Sequence, residues 1–189
     1  MILDHLKAQT SDLHRETEED NLARFILDHS ITTSQYMDLL QQNWFAYHSI
    51  DQLIFANESQ IPSYLKEFTD RAKSEALQKD LKAINYISES SKLNSDRAIT
   101  GPMILGMIYV TEGSMMGGLL IRKNLESCTM LDAGLKHHFF GKSATDVMKR
   151  WNAFKNAVNE QDFTDTEMEE AVTGAKLAFT IFKKSYALV

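Results

Sequence analysis

Helix breakers are scarce in this chain, with two prolines, Pro62 and Pro102, and eight glycines among 189 residues. A glycine inside a helix costs roughly 1 kcal/mol against alanine and a proline roughly 3, so a chain this free of both favours long helices. Apolar and polar residues hardly ever alternate with period two, which argues against a sheet. The helices can be placed one by one. Ile2, Leu6, Leu13 and Thr17 keep helical spacing and define an amphipathic first helix that turns acidic at Glu16, Glu18, Glu19 and Asp20. A short helical turn is expected over 21–28. Thr32, Thr33 and Ser34 offer N-caps for a long helix carrying Tyr36, Leu39, Leu40, Asn43, Trp44, Tyr47, Ile50 and Ile54 on one face. Pro62 opens another helix, with Leu65, Phe68, Ala72, Leu77, Leu81 and Ile84 apolar and a break expected near residue 78. Residues 88–96 are polar and read as a loop, and 129–141 as irregular chain. The run 102–125 is apolar on most sides and should be central, and 143–158 and 164–186 are two further amphipathic helices. With no repeat and no linker, residues 1–189 are expected to form a single all-α domain, a bundle of about eight helices.

One stretch breaks the pattern. Gly113, Gly117 and Gly118 fall within six positions of the apolar run 102–125, with no proline beside them. Gly113 and Gly117 are four apart and share a helical face, so backbone there can approach a neighbour closely. Three explanations are open: another helix packed there, an end of the helix at Gly117 and Gly118, or a neighbour that is flat.

Charge and composition narrow the function classes. Apolar residues make up 43% and charged residues 24% of the chain, ordinary for a globular protein. The formal charge of −6 and the lack of a basic run argue against a general nucleic-acid binder. Cys128 is the only cysteine, which leaves no intrachain disulfide and no thiolate metal cluster and suits a reducing, cytoplasmic setting. The N-terminal residues lack the pattern of a signal peptide, and no run is expected to reach the 18 or so apolar residues of a membrane span.

The six histidines are His5, His14, His29, His48, His137 and His138, and none lies three residues after a glutamate, as a di-iron bundle needs. Zinc-protease and covalent-heme patterns are also absent. A lone imidazole can still hold a metal that arrives in a macrocycle with four ligands of its own. His14 is the best candidate, with Lys7 two turns before it on the same side of the first helix. His48, among Trp44, Phe45 and Tyr47, is the rival, and an ordinary surface or core histidine is the plain alternative. Gly113, Ser114 and Gly117 do not have the spacing of a nucleophile elbow, and no strand precedes them.

Taken together, three separated segments resemble the heme oxygenases, most closely the compact bacterial, biliverdin-producing type. Leu6, Lys7, Thr10 and His14 resemble the proximal helix. Tyr109, Glu112, Gly113, Ser114, Gly117 and Gly118 resemble the distal helix, and Ala175, Lys176, Phe179, Thr180 and Phe182 the final one. The resemblance implies that His14 binds heme iron, that Lys7, Tyr109 and Lys176 meet the propionates, and that Gly113, Gly117 and Gly118 let the distal backbone lie over the porphyrin. Ser114 would organise distal water, where mammalian-type members carry an aspartate. Thr180 stands where those members place an arginine. Glu18, one turn after His14, is the expected partner of its second ring nitrogen.

The implied reaction is O₂-dependent cleavage of heme b, at once cofactor and substrate, to biliverdin, CO and Fe²⁺. Electrons would come from an external ferredoxin or NAD(P)H-dependent reductase, with Arg122 and Lys123 as candidate docking residues. No histidine lies between residues 49 and 136, which suits an oxygenase, because a peroxidase-like distal histidine would divert the chemistry. A monomer without a membrane span is expected. Two other readings share the fold: a heme-binding or heme-sensing protein without turnover, and a thiaminase-like relative, which would need a cysteine nucleophile in its pocket.

Overall fold

The computed structural model describes residues 1–19, 21–84, 97–132 and 134–188. The expected loop at 88–96 lies outside them. Among the described residues there are seven α-helices and no strand: α1 (Ile2–Glu19), α2 (Arg24–Leu27), α3 (Thr33–Ala56), α4 (Ala72–Ala83), α5 (Gly101–Leu125), α6 (Ala144–Asn159) and α7 (Asp165–Tyr186). Two 3₁₀ turns, Glu58–Gln60 and Ser63–Phe68, link α3 to α4.

Helix starts are fixed by side chains that satisfy otherwise unpaired backbone N–H groups. Thr32 and Gln35 form a reciprocal capping box at α3, and Thr164 and Glu167 form another at α7. Thr100 accepts from the Met103 N–H at the head of α5, where Pro102 occupies the first turn, and Ser143 accepts from the Asp146 N–H at the head of α6. The break expected near residue 78 falls earlier. The chain turns at 69–71, between the 3₁₀ turn and α4, and α4 runs through residue 78 unbroken. The Thr69 hydroxyl donates to the Lys66 carbonyl and the Asp70 carboxylate accepts from the Ala72 N–H, local bonds that end one helix and start the next.

The most extensive packing joins α5 to α7, and α1 and α3 also pack on α7. The α5–α7 crossing depends on two glycines. A Cβ at Gly106 would lie 2.6 Å from the Ala175 nitrogen and collide with the Ala171 carbonyl, and one at Gly174 would collide with the Met103 carbonyl. The two backbones therefore touch. α5 is also long and apolar enough to cross a membrane, contrary to the expectation from its composition, but half of that stretch is buried within the bundle, as a core helix requires.

Replacing Gly106 by Ala should push α5 off α7. Overpacking of this kind costs about 1–3 kcal/mol, so the melting temperature should fall by roughly 3–10 °C. Gly117→Ala, whose Cβ meets nothing within 4 Å, should instead leave the melting temperature unchanged or raise it by about 1–3 °C through helix propensity. Thermal unfolding followed by circular dichroism checks both, and equal effects of the two substitutions would refute the distinction.

Candidate functional site

α1 and α5 are each packed on α7 but have no comparable contact with one another, and a cavity of about 840 Å³ is lined by residues of all three. That volume suits a small-molecule or cofactor site. Phe179, Phe182 and Tyr186 of α7, Phe139 and Phe140 from the loop before α6, and Trp151 of α6 make much of its wall aromatic. Lys7 and Arg24 are its basic residues.

His14 contributes to the lining from α1, with its side chain 59% exposed. Its Nδ1 lies 3.5 Å from Glu18 Oε2, one turn on, and its ring meets Phe179 edge-on at 6.0 Å. With Nδ1 turned to the carboxylate, Nε2 is the nitrogen left for a ligand. Among the described residues no group of three or more His, Cys, Asp or Glu side chains is placed to hold a metal ion. A metal at His14 must therefore bring ligands of its own.

The glycine cluster borders the same cavity. α5 does not end at Gly117 and Gly118 but continues to Leu125. No helix presses on the cluster either: a Cβ at Gly113 would meet only Trp151, at 3.8 Å, one at Gly118 only Phe140, at 4.0 Å, and one at Gly117 nothing within 4 Å. The glycines that admit a neighbouring helix are Gly106 and Gly174. Gly113, Gly117 and Gly118 leave bare backbone along the cavity.

Ser114 sits in this bare stretch and is exposed. Its hydroxyl donates to the Thr111 carbonyl at 2.9 Å, so the 2.5 Å contact with Tyr47 is one in which the phenol donates to Ser114. Burial, the largest influence, raises the Tyr47 phenol well above its ordinary range and keeps that proton in place. Beyond Tyr47 on α3, Asp51 accepts a very short hydrogen bond from Ser74, and burial raises its carboxyl to about 6.

The aromatic loop is held by a second buried carboxylate. Asp80, 1% exposed, accepts the backbone N–H of His138 at 2.7 Å and of Phe139 at 2.9 Å. Tyr36 and His137 Nδ1 are 2.6 Å apart, and the Gly141 N–H closes the turn onto the His137 carbonyl, where a Cβ at Gly141 would collide. Phe139 and Phe140 are thereby fixed against the cavity.

Of the residues singled out in the sequence, Lys7, His14, Tyr109, Gly113, Ser114, Gly117 and Gly118 line this cavity, and Lys176 does not, being exposed on α7. His48 stacks on Trp44 at 4.6 Å and bonds Gln52, outside the lining. His5 pairs with Glu169 and His29 with Asn124. Arg122 donates to the Lys142 carbonyl. Cys128 is buried away from the cavity, its thiol near the Ile26 and Asn124 carbonyls, which removes the nucleophile a thiaminase-like pocket would need. Tyr47, Arg24, Phe139, Phe140 and Tyr186 line the cavity without having been singled out. Tyr47 carries a local signal, because it stands one turn after Asn43 on the same helix and both face the cavity.

The fold is all-helical among the described residues, and one cavity is lined by both a single histidine and the glycine cluster; comparison places the chain in a family. The family model for heme oxygenase matches residues 1–187, so the chain belongs to the heme oxygenase family. The NO- and CO-bound heme oxygenase of Neisseria meningitidis superposes with a TM-score of 0.74 at 20% identity, covering 100% of this chain and 94% of that one. The heme oxygenase of Leptospira interrogans gives 0.74 at 16% identity, covering 100% and 99%, and heme oxygenase-1 of the cyanobacterium Synechocystis sp. PCC6803, in complex with heme, gives 0.68 at 17%, covering 98% and 90%. A search of curated proteins found no significant match.

Asp51 makes the stability of this region depend on pH. Its folded carboxyl keeps a proton up to about pH 6, against an ordinary value of 3.8, so across that window the folded state binds more protons than the unfolded one. Stability from this group falls as pH rises from about 4 to 6. Asp51→Asn should therefore gain on the parent between pH 4 and pH 7 by on the order of 2–3 kcal/mol, since one proton held across each pH unit is worth about 1.4 kcal/mol. Urea unfolding of both proteins across that range measures it, and a pH-independent difference would show the carboxyl to be ordinary.

Proposed function

We propose that this chain binds heme b in the cavity between α1 and α5 and cleaves it, with O₂ and electrons from a ferredoxin or NAD(P)H-dependent reductase, to biliverdin, CO and Fe²⁺. The observation that carries the reading is the pairing within one cavity of a lone imidazole, His14, with the bare backbone of Gly113, Gly117 and Gly118. The residues fit heme: the walls are largely apolar and include several aromatic rings, the volume suffices, and among the described residues His14 has no further protein ligand beside it to complete a metal site. Family membership and the heme-bound Synechocystis structure support the same ligand.

Bound heme supplies both the iron that activates oxygen and the ring that is opened. The protein's part is to hold and orient. His14 would take the iron through Nε2, with Glu18 at Nδ1 keeping the ring in register. Lys7 and Tyr109 at the cavity, with Lys176 from the exposed face of α7, would bind the propionates, and Arg24 is a further cation for them. Each charge-assisted bond of this kind contributes about 1.5–3 kcal/mol. Gly113, Gly117 and Gly118 would let the α5 backbone approach the ring and so help to orient it. Ser114, its proton given to Thr111 and one lone pair taken by Tyr47, presents an acceptor to cavity water. To pass a proton inward its hydroxyl must turn away from Thr111 and be resupplied from cavity water, because the buried Tyr47 phenol keeps its own proton. Arg122 and Lys123, exposed near the end of α5, are candidates for contact with the electron donor.

Mixing the protein with hemin should give a Soret band of a histidine-ligated complex. His14→Ala should abolish that spectrum and added imidazole should restore it, whereas Glu18→Ala should weaken binding by no more than about tenfold. With O₂ and ascorbate or reduced ferredoxin, the Soret band should give way to biliverdin absorption with release of CO. A Soret band that survives these reductants would mark a heme-binding or heme-sensing protein without turnover, and failure to form the band would refute both.

A further inference from the structure

Glu112 is the residue before Gly113 and among the most deeply buried carboxylates of the fold, 2% exposed. On one side it accepts from Lys73 of α4 at 2.6 Å, itself only 7% exposed. On the other it takes the Arg150 Nε of α6 at 3.0 and 2.9 Å. Arg150 in turn holds Asp70 with both terminal nitrogens, at 2.8 and 3.1 Å. Two cations and two anions thus close one neutral cluster that ties α5 to α4, α6 and the turn at 69–71. Lys142 stands near enough that its amine is lowered, first by burial and then by Lys73 and Arg150.

The cluster meets α5 at the residue before the glycine segment. On the cavity side Gly117 and Gly118 offer no side chain to pack, and a Cβ at Gly113 would meet only Trp151. Among the described residues, the side-chain hydrogen bonds from 112–118 to other elements are those of Glu112, the Tyr47–Ser114 pair and a long contact of the Tyr47 hydroxyl with Met115 Sδ at 4.0 Å. Successive helical residues point about 100° apart, so a small rotation of this turn redirects the glycine face and Ser114 together. A buried ion pair adds little net stability over apolar residues of similar size, and its best-attested use is to select one register.

We propose that Glu112 is a positioning residue: through Lys73 and Arg150 its carboxylate sets the rotation of α5 at Gly113 and Ser114, and so which sector of the substrate ring the bare helix shields. The consequence for the product rests on the oxygenase reading, whereas the setting of the helix does not. Glu112→Gln alone would leave Lys73 buried beside a neutral group and could simply unfold the protein. The informative variant is the double substitution Lys73→Met and Glu112→Leu, which removes both charges and leaves Arg150 with Asp70.

Two measurements test it. In the heme-free protein, amide hydrogen exchange over 113–118 should accelerate at least tenfold in the double variant while α7 keeps its protection. In the hemin-loaded protein, with the Soret band retained, the ratio of biliverdin isomers separated by chromatography should change at least threefold. Exchange at 113–118 that stays at the parent rate, or rises equally across α7, overturns the proposal, as does an unchanged isomer ratio in a variant that still turns over. Failure of the parent protein to bind or cleave heme would instead refute the oxygenase reading, and the exchange measurement would still decide the role of Glu112.

Discussion

The backbone contact between α5 and α7 is the constraint on which the rest of the molecule depends. Gly106 and Gly174 bring the two helices close enough that neither position has room for a methyl group. α1 and α3 then pack on α7 as well, and the chain is organised around that helix. Because α1 and α5 meet α7 on separate faces, space remains between them, and the cavity fills it. Two turns along α5 from Gly106, the glycines at 113, 117 and 118 serve the opposite end: they keep surface open where the earlier one closes it. One helix thus uses the same residue type for contact with protein and for exposure to a ligand.

Packing behind the cavity is polar to an unusual degree, and it is satisfied. Asp80 orders the loop of Phe139 and Phe140, Glu112 ties α5 to α4 and α6, and Tyr47 reaches Ser114 from α3. A cavity wall cannot be braced from the open side, so it has to be held from behind by bonds that fix direction. Apolar contact is non-directional and tolerates small rotations, whereas a buried carboxylate with two donors does not. That difference explains why charges occur in the interior of this fold, where their net contribution to stability is small.

Local features were legible in the sequence. Thr32 announced its helix by cap chemistry, and periodicity placed α1, α3, α5, α6 and α7 to within a few residues. His14 and the glycine cluster were legible because both are odd where they stand. What could not be read is what depends on distant pairing. Gly106 looks like an ordinary tolerated glycine until Gly174 is known to lie against the same crossing, and nothing along the chain links Glu112 to Lys73 or Arg150. The turn at 69–71 was misplaced because the side-chain bonds of Thr69 and Asp70 to the backbone, not a proline or glycine, end the helix there. The likeness of Lys176 to a propionate-binding residue is a matter of motif, and its exposed position on α7 gives that motif no local support.

The shape of the cavity also bears on what filling it would do. α1 is amphipathic and carries the imidazole, but its packing is with α7, and His14 is more than half exposed. A ligand held by His14 on one side and by the backbone of α5 on the other would connect two helices that the protein alone leaves apart. It would cover Leu27 and Leu120, exposed apolar side chains of the cavity lining, and contribute apolar burial there. Binding to the folded state alone stabilises that state by mass action, and the gain should concentrate in the segments a ligand would touch, α1 and the glycine segment of α5. A flat ligand there would serve as a further layer of the core between two helices that otherwise have little contact with each other.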